Sequence, residues 1–285
     1  MLRIMSASVK PLPNFENPPV VEVALSVQFK PLVGLKVAHL GRLWSTYRDD
    51  GFTQTEDHRN LDSLQEAFDH RHYVHDMGIR FRSLDTPPVP RVWFLNEPGT
   101  ELIQVQQDRV IHNWRKTDDG VDYVRYPNVR QRFVDSFAKF GAFAHAENLG
   151  DVEPNQCEIT YTNHLVSGEG WSSQGDMDQV FSFWSQPPSD FLQGPENVSV
   201  TVRYLIPDEH GKPIGRLYVD IQPAFRNLDF RPMLILNLTA RGAPLAGDSD
   251  GILGFFDLGR EWIVRGFAEI TTNKMHAIWR RIDVS

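Results

Sequence analysis

The chain has 285 residues, of which 41% are hydrophobic and 23% are charged, an ordinary composition for a globular protein. Its formal net charge of −8 argues against sequence-independent nucleic-acid binding, because that affinity comes from Lys and Arg side chains that neutralise phosphates. No apolar run approaches the roughly 18 residues that cross a bilayer, and the single cysteine, Cys157, cannot form an internal disulfide. We therefore expect a cytoplasmic protein that has no membrane partner and does not bind nucleic acid independently of sequence.

The first 29 residues divide into a lead-in and a strand. Residues 1–17 lack the apolar core of a signal peptide and are expected to be flexible. From Val20 to Phe29 apolar residues occupy alternate positions, which predicts a strand with one buried face. The opposite face is expected to meet water or a ligand; it carries Glu22, Ala24, Ser26 and Gln28.

A helix and a polar stretch follow this strand. The helical spacing of Leu40, Leu43 and Tyr47 predicts a helix that is over by Gly51. Residues 52–77 are polar, include four of the ten histidines and show little periodicity. They are interpreted as an irregular insertion with one helical turn near 61–68.

The first half is completed by strands and a long helix. Strands are predicted at 79–84 and 91–95, and a hairpin over 102–106 and 109–115. A helix then begins at Tyr126-Pro127. Its apolar stripe, which indicates a core-facing surface, consists of Val129, Phe133, Phe137, Phe140 and Ala144.

The second half shows a similar series of patterns. Its predicted strands are Cys157–Leu165, Val198–Ile206, Ile214–Gln222 and Met233–Ala240. A short helix is predicted near Met177–Trp184. The final long helix is capped near 248–250, and Thr271 or Thr272 caps a short continuation. Trp262 and Trp279 on these last helices could cover the core or form a homodimer interface.

The two halves resemble each other in sequence. Residues 18–29 match residues 154–165 at an offset of 136, which places Pro18 on Pro154 and Glu22 on Glu158. Each half reads strand, helix, strands, helix, so the pattern predicts an α+β fold made by tandem duplication. The expected domains are 18–150, which includes the insertion 52–77, and 151–285. An antiparallel sheet with helices on one face would resemble the saddle of the TATA-binding-protein-like fold.

Several segments in matching order resemble a sporadically distributed bacterial family of unknown function. The segments are 17–23, 104–109, 113–115, 126–127 and 158–163, with Phe267, Thr271, His276 and Trp279 near the end. The resemblance covers residues 14–281 and implies no established activity. Patchy occurrence of the family suggests an accessory role, such as defence or toxin neutralisation.

The insertion offers a candidate metal site. Imidazoles and carboxylates are zinc ligands, and the candidates are His70, His72, His75 and Asp76. An extended chain would bring His70 and His72 to one face, whereas a helix would pair His72 with His75. Zinc or another divalent metal is therefore the alternative to having no cofactor, and a solvated polar loop explains the same residues.

The duplication predicts that two carboxylates lie close together. If the first strands of the two halves pair, Glu22 and Glu158 are neighbours on the polar surface, and like charges that face each other need a cation. The neutralising charge could come from Arg80, Arg82, Arg203 or Arg216, or from a bound ion or a basic ligand. An arginine-neutralised structural pair is the alternative.

The predicted hairpin over 102–115 carries many polar side chains. One reading is a ligand-binding ribbon with an aromatic platform, formed by Asp108, Arg109, Asn113 and Trp114. A structural network is the other reading, because buried polar groups require hydrogen bonds. Periodicity places Cys157 on a buried face, which disfavours a role as nucleophile.

These observations favour a binding or regulatory protein rather than an enzyme. A basic protein partner encoded nearby would suit the negative charge. Two alternatives stay open: a metal-dependent hydrolase or nuclease that uses the His-rich insertion, and a small-molecule sensor with a pocket between sheet and helices.

Overall fold

The computed structural model describes residues 11–68, 89–117, 121–185, 190–192 and 194–282. The protein is α+β, with a large antiparallel sheet and a few helices. This confirms the fold class at that level, while the duplicated saddle stays a prediction. The strands are β1 (Asn14–Phe15), β2 (Val20–Phe29), β3 (Gln54–His58), β4 (Arg91–Leu95), β5 (Glu101–Gln106), β6 (Arg109–Arg115), β7 (Pro154–Val166), β8 (Val200–Pro207), β9 (Pro213–Phe225), β10 (Pro232–Gly242) and β11 (Arg281–Ile282). The helices are α1 (Val37–Arg48), α2 (Tyr126–Ala146), α3 (Met177–Val180), α4 (Ser249–Ile270) and α5 (Asn273–Ile278).

The chain forms two compact units that interleave along the sequence. Unit 1 comprises Met1–Val23, Ile159–Arg241 and Phe256–Ser285, and unit 2 comprises Ala24–Glu158 and Gly242–Phe255. Strands β2 and β7 each contribute residues to both units. These boundaries differ from the expected division into 18–150 and 151–285, so the rotation that would relate two sequential halves stays a prediction.

In unit 2 the strands follow the order β3-β4-β5-β6-β2-β7. The strands from β3 to β6 are antiparallel neighbours, and Phe94 lies opposite Ile103, which lies opposite His112. Because side chains alternate along a strand, these three residues share one face. Helix α2 packs its predicted stripe into this core, where Val129, Phe133 and Phe140 are buried.

In unit 1 the strands follow the order β2-β7-β10-β9-β8. The predicted alternation of β9 is confirmed, because Leu217, Val219 and Ile221 are buried. Helix α5 is capped by Thr272, whose side-chain oxygen accepts a hydrogen bond from the Met275 amide. Thr271 instead donates its hydroxyl to the Phe267 carbonyl.

The end of the lead-in is ordered, which differs from the expected flexibility of residues 11–17. Strand β1 pairs with β11, so that Asn14 lies opposite Ile282 and Phe15 opposite Arg281. The Phe15 ring packs against Phe267, His276 and Trp279, with ring centroids 5.4–6.2 Å apart. Trp279 is therefore buried in this aromatic cluster and covers the core of unit 1.

Two further expectations need correction. The described residues 59–68 of the insertion contain no helical turn; they run irregularly after strand β3. The helix expected at Met177–Trp184 ends at Val180, because Phe181 turns to an extended conformation and bridges to Thr271. The strand predicted at 79–84 lies outside the described residues.

Candidate functional site

One face of the unit 2 sheet carries a cluster of buried polar side chains. It lies opposite the face on which Phe94, Ile103 and His112 pack, because its residues alternate with theirs. We call it the glutamine face and define it by Gln28 (β2), Gln104 and Gln106 (β5), Arg109 and Asn113 (β6) and Gln156 (β7). All six side chains are buried, although burial of polar groups is costly without hydrogen bonds.

The cover of this face is the chain's own segment 59–66, part of the polar insertion. The amide N–H groups of Leu61, Leu64 and Glu66 donate to the Oε1 atoms of Gln106, Gln28 and Gln156, at 3.0, 2.8 and 2.9 Å. In return, the Gln106 Nε2 atom donates to the Leu61 carbonyl at 3.1 Å. Glutamines on three strands thus hold this segment by its backbone.

Arg109 links the segment to the sheet. Its Nη2 atom donates to the Asp62 carbonyl at 2.8 Å and to the Gln28 Oε1 atom at 2.6 Å. The Gln28 Nε2 atom donates in turn to the Asn155 Oδ1 atom at 2.9 Å. A charged donor makes these hydrogen bonds stronger than neutral ones, so Arg109 is the anchor of the network.

A second chain of hydrogen bonds runs toward β4. The Gln104 Nε2 atom donates to Asn113 Oδ1 at 2.9 Å, and Arg91 donates to Gln104 Oε1 at 3.0 Å. The Arg91 guanidinium lies 5.6 Å from the Trp93 ring centroid, and the His58 ring stacks on the same indole at 3.8 Å. Burial, with the nearby charge of Arg109 as a smaller cause, lowers the pKa of Arg91.

The arrangement recognises backbone rather than side chains. Carboxamide groups both donate and accept, so they can satisfy the peptide groups of any extended chain. The side chain of Leu64 points away, with 44% of its surface exposed. This apolar side chain thus contributes little burial, and regions with few buried apolar contacts open at low free-energy cost.

The predicted hairpin residues are divided between two faces. Arg109 and Asn113 belong to the glutamine face, and Asp108 accepts a hydrogen bond from Gln106 in the adjoining turn. Trp114 is only 1% exposed and packs against Tyr123, with ring centroids 5.2 Å apart. Because neighbouring strand residues point to opposite faces, Trp114 lies on the helix side, away from Asn113. The ligand-binding role of these residues stays a prediction.

The other predicted ligand residues lie elsewhere. Arg203 and Arg216 share one face of unit 1, where Arg203 opposes Tyr218. The guanidinium groups of Arg203 and Arg241 lie 5.4 and 5.0 Å from the Tyr218 ring centroid. Glu22 belongs to unit 1 and Glu158 to unit 2, and their pairing stays a prediction.

Arg80 and the candidate metal ligands His70, His72, His75 and Asp76 lie outside the described residues. Within the described ranges, no group of three or more His, Cys, Asp or Glu residues is placed to hold a metal ion. The metal site in the insertion therefore stays a prediction.

A partly buried Glu–His–Ser cluster on the helix side of unit 2 was not predicted from the sequence. His112 Nδ1 lies 2.9 Å from Ser136 Oγ, and His112 Nε2 lies 3.8 Å from Glu101 Oε2. Burial, assisted by the Arg132 charge, lowers the pKa of His112 to about 3, so the imidazole is neutral at pH 7 and a poor base. Ser136 donates its hydroxyl to the Arg132 carbonyl. The cluster is built for packing rather than catalysis.

Cys157 is buried as its periodicity predicts. Desolvation raises the pKa of its thiol. A nucleophilic cysteine needs a lowered pKa and access to a substrate, so Cys157 has neither property.

The chain matches none of the known protein-family models and no curated protein. Among the described residues, none of the helices combines the length and the apolar character needed to cross a bilayer.

Proposed function

We propose that this chain is a non-enzymatic binding or regulatory protein that holds an extended polypeptide on its glutamine face. The proposal is supported by one observation: Gln28, Gln106 and Gln156 bind the backbone of segment 59–66 across three strands. A partner segment with the same backbone path would find the same donors and acceptors, because main-chain hydrogen bonds give affinity without requiring a particular sequence.

The expected partner is a protein, and the net charge of the whole chain favours a basic one. A net charge of −8 attracts a basic partner over a long range and raises its association rate. A nearby gene would be its natural source if the chain is a cytoplasmic accessory of a defence or toxin system, as the resemblance to the sporadic bacterial family implies.

The test replaces residues 59–66 by a Gly/Ser linker of equal length and supplies the natural octapeptide, Arg-Asn-Leu-Asp-Ser-Leu-Gln-Glu, in trans. We expect saturable binding by calorimetry, at least tenfold tighter to the linker variant than to the wild-type chain. Methylation of the peptide nitrogens that correspond to Leu61 and Leu64 should abolish it, because Gln106 and Gln28 would lose their donors.

The matched control is a peptide with Ala at the position of Ser63, which should bind as well as the natural octapeptide. A cooperative thermal transition of the linker variant verifies that it is folded. Equal binding of the methylated and natural peptides, or no binding to a folded linker variant, would refute recognition through the backbone.

The hydrolase or nuclease alternative is separated by metal analysis of the purified full-length chain. We expect less than one metal ion per chain, at the level of adventitious contamination. One zinc per chain that is lost on replacing His72 and His75 by Ala would favour the metal-dependent alternative instead.

A further inference from the structure

The turn between β9 and β10 in unit 1 holds large apolar side chains in solvent. Phe225, Leu228 and Phe230 are 65%, 76% and 78% exposed. We call residues 225–231 the apolar tip. Single exposed apolar residues are common on protein surfaces, but three on one short turn form a patch that calls for an explanation.

Polar contacts make the apolar tip rigid. Asp229 accepts hydrogen bonds from Arg226 and Arg231, including Arg226 Nε at 2.9 Å and Arg231 Nε at 2.7 Å. These contacts, led by the one with Arg226, hold the pKa of Asp229 below its usual value. The Arg226 amide donates a hydrogen bond to the Arg231 carbonyl at 2.9 Å, which closes the turn. The Arg231 Nη1 atom donates to the Ser167 carbonyl at 3.2 Å.

Phe230 occupies a backbone conformation that disfavours it. Its φ of 56° is left-handed, a region that bulky residues rarely enter. The turn between β8 and β9 offers a comparison, because Asp208 there accepts from the His210 and Lys212 amides and the left-handed position is filled by Gly211, with φ of 79°. The turn between β8 and β9 therefore has glycine at its left-handed position, as is usual, whereas the turn between β9 and β10 has an exposed phenylalanine there.

We infer that the apolar tip is a docking element that inserts into an apolar cleft of a protein partner, with a carboxylate on the rim of that cleft. A rigid convex tip loses little conformational entropy on binding, and aromatic anchors that fill pockets dominate binding energy. Arg226 and Arg231 against the single Asp229 give the tip a net charge of +1, which an acidic rim would complement.

The area of the tip argues against pairing of two copies tip to tip. With roughly 150–250 Å² per aromatic side chain, the exposed fractions correspond to on the order of 400 Å². Two tips would then bury about 800 Å² in total, below the ~1,000 Å² of a specific interface. A cleft would bury the flanks as well and approach the usual share of about 800 Å² per partner.

A lipid surface is the less favourable occupant. Anionic headgroups attract basic segments and repel acidic ones, and this chain carries a net charge of −8. A bilayer faces the whole side of the molecule with its headgroup charges, whereas the rim of a cleft meets only the charges within ~8–10 Å of the tip, the range over which charges act at physiological salt.

The test places the photo-crosslinking residue p-benzoylphenylalanine at position 228 of the full-length chain. The experiment is done in the cells that naturally produce this protein. Position 210, in the polar turn between β8 and β9, is the matched control, because His210 is also exposed on a hairpin turn. We expect irradiation to attach position 228 to one protein with at least tenfold higher yield than position 210. The attachment site should lie among apolar residues with Asp or Glu beside them, and Phe225→Ser with Phe230→Ser should reduce the yield at least tenfold.

Other outcomes would overturn the inference: equal yields at the two positions, attachment to lipid, attachment to a second copy of this chain, or a yield that Phe225→Ser with Phe230→Ser does not change. If this double variant does not unfold cooperatively, the crosslinking experiment uses Phe225→Ser alone, because that substitution leaves the turn intact. The octapeptide experiment on the glutamine face involves unit 2 only, so either result can fail without the other.

Discussion

Phe230 stores local strain that a better-suited residue would release. Its left-handed conformation costs about 1 kcal/mol for a residue with a bulky side chain, whereas Asn tolerates it. Asn148 shows this preference in the same chain, with φ of 52°. Phe230→Asn should therefore raise the free energy of unfolding by about 0.5–1 kcal/mol, measured by urea denaturation.

Leu228→Asn is the matched control, because Leu228 is similarly exposed but has no left-handed backbone. It should change the free energy of unfolding by less than about 0.5 kcal/mol. A Phe230→Asn variant less stable than the wild type would mean that the phenyl ring stabilises unit 1 rather than serving a partner.

His112 should make stability depend on pH. Burial lowers its pKa to about 3 in the folded protein, while the unfolded chain has the ordinary value near 6.5. Between these values only the unfolded state binds the proton, so the free energy of unfolding falls as pH drops below 6.5. The loss from pH 6.5 to pH 5 should be on the order of 1–2 kcal/mol, and His112→Gln should remove it.

The comparison is with His145→Gln, which changes an exposed histidine near the end of α2. Urea denaturation at pH 6.5, 6 and 5 measures the slope, and these values lie above the range in which most carboxylates protonate. Equal slopes for the two variants would contradict a neutral, buried His112 imidazole.

At the scale of elements, the bond between Gln106 and segment 59–66 is the most informative contact. Gln106 both accepts from the Leu61 amide and donates to the Leu61 carbonyl. Gln106→Ala leaves both groups without these partners, and a lost buried hydrogen bond costs about 1–3 kcal/mol. Amide exchange of Leu61 and Leu64 should become at least tenfold faster, measured by hydrogen-exchange mass spectrometry, because the segment opens locally.

Gln131→Ala is the control for this effect, since the exposed Gln131 bonds to Asp135 on the surface of α2. It should leave exchange in the segment unchanged. Faster exchange throughout unit 2 in the Gln106 variant would indicate loss of the sheet itself rather than release of the segment.

The regular elements were predictable because their causes are local. Alternation locates β2, β7 and β9, and a 3.6-residue stripe locates α2. Segment 59–66 was not predictable, since its partners Gln28, Gln106 and Gln156 are distant in sequence and its own residues show no period. Gln28 was expected to meet water or a ligand, and it meets the chain itself.

Only part of the candidate site could be predicted from the sequence, because many of its contacts join residues that are distant in sequence. A crowd of polar residues around Arg109 and Asn113 indicated a network, which the hydrogen bonds of the glutamine face confirm. Because side chains alternate between faces along β6, Trp114 lies on the face opposite Asn113. No sequence pattern indicated the contact of His112 with Ser136. Long-range contacts of single polar residues leave no periodic signal.

At the scale of the whole molecule, similarity between two stretches of sequence does not determine how the chain is divided in space. The resemblance of residues 18–29 to 154–165 predicted sequential repeats, yet β2 and β7 each contribute to both compact units. Strand β2 contributes Leu25, Val27 and Phe29 to the core of unit 2, and strand β7 contributes Ile159 and Tyr161 to the core of unit 1.

Unit 1 also joins the two ends of the described chain, and this closure should be important for stability. Strand β1 pairs with β11, and the Phe15 ring packs edge-on against Phe267, 5.4 Å away. Phe15→Ala removes a buried ring from this cluster and should lower the free energy of unfolding by about 3 kcal/mol. Ile282→Ala changes a half-exposed residue of the partner strand and should cost less than about 1 kcal/mol. Urea denaturation of both variants measures the difference. Equal losses would mean that backbone pairing of β1 with β11, rather than the aromatic cluster, holds the ends together.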